Sequence, residues 1–140
     1  MPIAGLHHID LAVKDVDRSL RFYLDVLGPL GVEEFARYET YRGTEEVVYL
    51  RIGPNAQGLG LRPADGGEHS YYSVGIEHFA VMVDRREDVD ETYQRCLDIG
   101  ANVHSPPEED NDIPGYWAMF VFDPDGIRLE IAHWPGAATA

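Results

Sequence analysis

The chain repeats itself at an offset of 70 residues: His8 falls on His78, Pro54 on Pro124, Leu59 on Leu129 and Gly60 on Glu130. Small insertions and deletions between these anchors cancel. A repeat of this length is one supersecondary unit used twice, so each chemically active residue acquires a counterpart on an equivalent element. Each half reads as strand, helix, then three strands, and neither half alone covers its sheet.

In the first half, Leu6–Val13 alternates, with Ile9, Leu11 and Val13 on one face and His8, Asp10 and Ala12 on the other, the pattern of a half-buried strand. Asp15 suits the N-cap of a helix whose apolar positions are Val16, Leu20, Tyr23 or Leu24, and Leu27, with Gly28 as its stop. Strand-like runs follow near Phe35–Tyr41, Glu46–Ile52 and Gly58–Arg62, separated by turn residues at Arg42-Gly43 and Gly53-Pro54-Asn55. Residues 64–74 are rich in Gly, Asp, Glu and Ser and read as a linker, so the expected organisation is module one over 5–63 and module two over 75–134 of a single domain. After the linker, Ile76–Val83 alternates again, with His78, Ala80 and Met82 off the aliphatic face. Val89, Tyr93, Cys96 and Leu97 mark a second helix stopped by Gly100. Asn102–His104 reads as a short strand and Pro106 to Pro114 as an acidic loop, whose Glu108-Glu109-Asp110 run is expected to be solvated.

The second module closes on Phe120–His133. Asp123-Pro124-Asp125-Gly126 suits a type I turn between two apolar strands. Beyond it, Ile127, Leu129 and Ile131 share one face and Arg128, Glu130 and Ala132 the other. A strand-borne carboxylate on the non-core face asks for a partner: a metal, a hydrogen-bond network, or an ion pair with Arg62 or Arg128.

Composition narrows the choice. The 140 residues, 44% hydrophobic and 26% charged, fit one globular domain. A formal net charge of −14 argues against nucleic acid and anionic membranes as partners, because both repel it. It also disfavours highly anionic substrates without a local cation. The single cysteine, Cys96, excludes an intrachain disulfide. No secretory leader or long apolar run is seen, so a cytoplasmic location is expected.

With Leu-His-His-Ile-Asp-Leu-Ala-Val at the start, Phe22-Tyr23 before Leu27-Gly28, Glu-His-Phe-Ala-Val-Met-Val after the linker and Asp-Pro-Asp-Gly-Ile-Arg-Leu-Glu near the end, the chain resembles the vicinal oxygen chelate superfamily. That group includes glyoxalase I, fosfomycin- and bleomycin-resistance proteins and extradiol dioxygenases. The resemblance runs from Leu6 to about Trp134. It implies an α+β fold in which two βαβββ modules form curved mixed sheets around a cavity. It also implies a divalent metal (Fe, Mn, Zn, Ni or Co) held by side chains from equivalent strands. Carried over by position, the ligands are His8, His78 and Glu130, and the fourth position is Gly60, which cannot ligate. Two imidazoles and a carboxylate leave coordination positions open for water or substrate.

The departures from the known subfamilies are equally specific. Glyoxalase I uses four protein ligands, and Gly60 weakens that reading. Extradiol dioxygenases place a tyrosine ten residues before the ligand glutamate and a histidine slightly earlier, whereas this chain has Phe120 and Asn111–Ile113 there. Fosfomycin-modifying enzymes need cations for a phosphonate, for which Arg62 and Arg128 are the candidates. Strand parity assigns Phe120, Phe122, Met82, Leu50 and Ile52 to the cavity wall, with Tyr116 and Trp117 nearby and Arg128 as a polar point, which suits a small, partly aromatic, oxygen-bearing substrate. Asp10, on the face of His8, is the candidate for proton handling, against a structural ion pair as the alternative. His7, His69, His104 and His133 are left outside the ligand set. The resemblance thus implies a metalloenzyme of lyase, isomerase or ring-cleaving dioxygenase chemistry, probed against a metal-free sequestering protein of the bleomycin-resistance type, and in either case a homodimer.

Overall fold

The computed structural model describes residues 1–40, 42–43, 45–54 and 57–136, with only the backbone of Gln57; the expected strand end at Tyr41 and turn residue Asn55 lie outside the described residues. The chain divides into two compact units, the first Met1–Gly67 and the second beginning at Glu68, a boundary inside the expected linker. Each is a βαβββ module carrying one open four-stranded mixed sheet.

In the first unit, β1 (His8–Val13), α1 (Val16–Leu27), β2 (Glu33–Glu39), β3 (Glu46–Ile52) and β4 (Gln57–Pro63) form a sheet in the order β1-β4-β3-β2. β1 runs parallel to β4, and the other pairs are antiparallel. The Asp15 carboxylate accepts from Arg18 N at 3.0 Å, the cap that its residue type calls for. α1 buries Ser19, Leu20, Phe22, Tyr23, Val26 and Leu27. Gly28 does not end the chain's helical run: it is right-handed (φ −55°) and leads into a 3₁₀ turn, Gly28–Leu30. Gly31 stops it, at φ +92°, which only glycine adopts without strain.

The second unit repeats this order as β5 (Phe79–Met82), α2 (Arg86–Asp98), β6 (Asn102–Glu109), β7 (Trp117–Phe122) and β8 (Arg128–His133), with the sheet order β5-β8-β7-β6. The turn between β7 and β8 closes as expected: Gly126 N donates to Asp123 O at 3.0 Å, and the Asp123 carboxylate accepts from Asp125 N and Ile127 N. Ile127, Leu129 and Ile131 are buried on the core face. β6 continues through Pro106 and Pro107 into the stretch expected to be loop. It lies at the sheet edge, where a residue without an N–H costs no ladder bond. On α2, Thr92 is buried beside Val89 and Cys96, while Leu97 is 48% exposed. Among the described residues no helix is long and apolar enough to cross a membrane.

The 70-residue offset is written into the strand registers. Asp10 pairs with Gly60 across β1 and β4, and Ala80 pairs with Glu130 across β5 and β8. Likewise Tyr49 stands opposite Gly60 and Phe120 opposite Glu130. Gly60 and Glu130 therefore occupy the same position in their modules.

Candidate functional site

In the second unit, β8 places Glu130 at the centre of its sheet on the face away from the aliphatic core. The carboxylate is only 6% exposed. Its Oε1 accepts from the Tyr116 hydroxyl at 2.6 Å, and its Oε2 lies 3.0 Å from His78 Nε2. The alternative expected for this residue, an ion pair with Arg62 or Arg128, does not form: Arg62 pairs with Asp10 and Arg128 with Glu77. Burial, reinforced by the hydrogen bond and charge of Glu130, pushes the Tyr116 phenol far above the ordinary tyrosine range, so it remains a donor.

His78 precedes β5. Its Nδ1 lies 2.7 Å from Glu77 Oε2 and its ring packs edge-on against Phe120 at 5.3 Å. The arrangement presents Nε2 and Oε2 to each other across a gap that needs a positive centre, because a buried carboxylate with no Lys or Arg partner is costly. A divalent ion with nitrogen and oxygen preference fits that pair, as does a proton on the imidazole. Among the described residues no three His, Cys, Asp or Glu side chains are gathered into a metal-holding group.

Beside the pair stands a wall of rings. Phe120 and Phe122 share the face of Glu130, as parity predicts. His104, set aside at the sequence level, stacks on Phe122 with centroids 5.0 Å apart and meets Phe120 at 6.5 Å. It was missed because β6 is bulged between Val103 and Ser105, which breaks the two-residue alternation that assigns faces. Tyr71, in the expected linker, joins at 5.5 Å from Phe122. The Arg128 guanidinium lies 4.6 Å from both the Tyr71 and Phe120 ring centres, contacts Glu77, and reaches His104 Nδ1 at 3.2 Å. At 12% exposure it is committed to the protein rather than presented to an anion. Met82 lies on the same face, in register with Ala132, but is 67% exposed. Trp117 points the other way: its indole N–H donates to Asp90 at 2.8 Å and its ring lies under Arg86.

The first unit carries the counterpart face, and it is built differently. Asp10 Oδ2 accepts from Tyr49 OH at 2.9 Å and from Arg62 at 2.5 Å, so the structural ion pair describes Asp10, while its buried Oδ1 has no hydrogen-bond partner. Burial, with the Asp10 hydrogen bond and charge behind it, raises the Tyr49 pKa. Burial lowers that of Arg62, but the hydrogen bond to Tyr49 and the charge of Asp10 outweigh it and the net shift is upward. The Asp10 carboxylate lies over Gly60: a Cβ there would sit 2.2 Å from Asp10 Oδ1 and 2.7 Å from Tyr49 Cε1. Leu50 corrects the parity reading of β3. It is fully buried and in register with Leu59 on the core face, and Tyr49 takes the polar face in its place. A bulge at Phe35 in the adjacent pair, between Glu34 and Ala36, puts the Phe35 ring 6.3 Å and Tyr38 5.9 Å from Tyr49. His8 packs edge-on to Tyr49 at 5.9 Å, and its Nδ1 lies 2.8 Å from His7 Nδ1, which leaves Nε2 as the nitrogen available to a ligand.

Two βαβββ modules, with a histidine opening the first strand of one and just before it in the other, and a carboxylate on the last strand of the second, are the pattern of a vicinal oxygen chelate protein. The chain belongs to the Glyoxalase/Bleomycin resistance protein/Dioxygenase superfamily, whose profile matches residues 5–131. It is 28% identical over 125 residues to the lactoylglutathione lyase of Haemophilus influenzae, covering 88% of this chain and 87% of that one. A glyoxylase/bleomycin resistance protein/dioxygenase domain from Frankia sp. EAN1pec superposes with a TM-score of 0.78 at 26% identity, covering 95% of this chain and 99% of the other. The fosfomycin resistance protein FosX of Listeria monocytogenes, solved with Mn(II) and sulfate, superposes at 0.69 with 20% identity over 94% and 93% of the two chains, a likeness of fold alone.

Proposed function

We propose that this chain is a metal-dependent enzyme acting on a small, oxygen-bearing and partly aromatic substrate, with lyase, isomerase or ring-cleaving chemistry as the class. We further propose that its two units make one domain. The observation that carries the reading is the 3.0 Å approach of His78 Nε2 to a buried Glu130 oxygen that no Lys or Arg neutralises. His78 and Glu130 are the proposed ligands in the second unit, and His8 is assigned as the third on the repeat alone. A divalent ion bound there supplies Lewis-acid stabilisation of negative charge on a substrate oxygen.

The chain's own residues do the rest. Tyr116 holds one oxygen of Glu130 and so orients the other. Phe120 and His104 offer ring surface to an aromatic or apolar substrate, and Phe122 backs them. Because Arg128 is occupied by Glu77, the rings and His104, a phosphonate finds no free cation among the described residues of this face, which favours a hydroxyl- or carbonyl-bearing substrate over a fosfomycin-like one. A second reading rests on the same distance: with His78 protonated, the pair is an ion pair, and the module is a metal-free protein that sequesters its ligand.

Elemental analysis of protein purified without added metal separates the two. Stoichiometric metal that disappears in His78→Ala and Glu130→Gln, and weakens in His8→Ala, is the expected result. Retention of full stoichiometry in all three variants removes the ligand assignment.

A further inference from the structure

We infer that Glu77 is a positioning residue: it keeps a proton on His78 Nδ1 and so fixes the ring, and Arg128 serves this site by holding Glu77 and not by touching substrate. The inference deepens the reading of His78 as a ligand and rests on it only for its metal-binding consequence.

The geometry is a chain of contacts within the second unit. Glu130 Oε1 takes the Tyr116 hydroxyl, Glu130 Oε2 faces His78 Nε2 at 3.0 Å, and His78 Nδ1 faces Glu77 Oε2 at 2.7 Å. The other Glu77 oxygen contacts the Arg128 guanidinium. An ionised carboxylate only accepts hydrogen bonds, so at 2.7 Å a proton lies on Nδ1, and Nε2 is the nitrogen left to face Glu130 through a metal ion or a second proton. A ligand histidine is generally oriented through its other nitrogen in this way.

Glu77 lies in the irregular stretch before β5 and is 39% exposed, so its position depends on an anchor. Arg128 is the anchor. It is stacked between Tyr71 and Phe120 at 4.6 Å from each, tied to His104 at 3.2 Å, and only 12% exposed. A guanidinium fits this duty better than an ammonium, because its planar face stacks while its edge pairs.

The test has one arm independent of metal. Long-range ¹H–¹⁵N spectra of the metal-free chain at pH 8.5, above the ordinary histidine range, read the His78 tautomer directly. Wild type is expected to keep a proton on Nδ1, and Glu77→Ala to lose it in favour of the Nε2–H form, with thermal unfolding confirming that the variant folds. Arg128→Met should shift it in the same direction by a smaller amount. In the second arm, Mn(II) titration should show affinity lower by about 10–100-fold in Glu77→Ala, with Glu77→Gln intermediate. A His78 protonated on Nε2 alone in wild type, or a protonation pattern unchanged in both folded variants, overturns the inference. If wild type binds no Mn(II) yet the tautomer shifts as stated, the positioning role stands and the metal reading falls.

Discussion

Gly60 shows at the scale of one residue how a repeat position can be vacated and refilled. Its counterpart Glu130 carries a carboxylate, but at Gly60 the space of the first side-chain atom is taken by Asp10 and Tyr49. Its backbone is not left-handed, so the constraint is room and not conformation. Gly60→Ala should therefore destabilise the chain by roughly 1–3 kcal/mol through overpacking, read as a lower urea midpoint, whereas Gly58→Ala, whose nearest neighbour would be His8 Cβ at 3.4 Å, should cost less. Equal midpoints for the two would show that Asp10 does not lie over Gly60. Tyr116 supports the buried Glu130, and Tyr116→Phe removes that donor at a cost of about 1–3 kcal/mol if the carboxylate stays charged. Both Tyr116 and Tyr49 are raised by burial and by a neighbouring carboxylate. Their stabilising protonated forms are fully present below the ordinary tyrosine range and are lost as pH rises through the raised values. In alkaline spectrophotometric titration both should ionise only above the ordinary tyrosine range.

The elements follow from short-range physics with few exceptions. The N-cap of α1 is a single Asp15–Arg18 bond, so Asp15→Ala should lower stability by about 1 kcal/mol, measured by denaturant unfolding, while Asp15→Asn should largely retain it. On α2, Cys96 is fully buried, and burial pushes its thiol up to about 11, with Arg95 offsetting only part of the effect. The folded chain should react with a thiol reagent at pH 8 only as fast as it opens. The thiol's contribution to stability is complete below about 9 and is lost as pH rises through about 11. Full modification within the mixing time would place Cys96 at the surface. Alternation assigns faces only where pairing is regular. The bulges in β2 and β6 hid Phe35 and His104, and edge placement let β6 run through two prolines.

For the whole molecule, we propose the homodimer that the family resemblance implies: sedimentation at micromolar concentration is expected to show a species near twice 15.7 kDa, and a 15.7 kDa species alone would remove it. The fold was legible because it is written twice: the 70-residue offset, two amphipathic helices and two closing hairpins agree with one another and with the family. His78 and Glu130, which the structure brings to 3.0 Å, also stand out in the sequence, as a histidine at a repeat-equivalent position and a strand carboxylate off the core face. What the sequence could not assign was pairing among charged side chains. Arg62 and Arg128 were both open to Glu130, but the registers deliver one to Asp10 and the other to Glu77. Leu50 and Tyr49 are neighbours whose exchange of faces depends on the register of β3 against β4, which no local pattern in that apolar run encodes. Sequence periodicity determined which elements form and which faces they bury, because those depend on neighbours a few residues away. Tertiary structure alone decided which cation meets which carboxylate, because those contacts span tens of residues and turn on a single position of strand register.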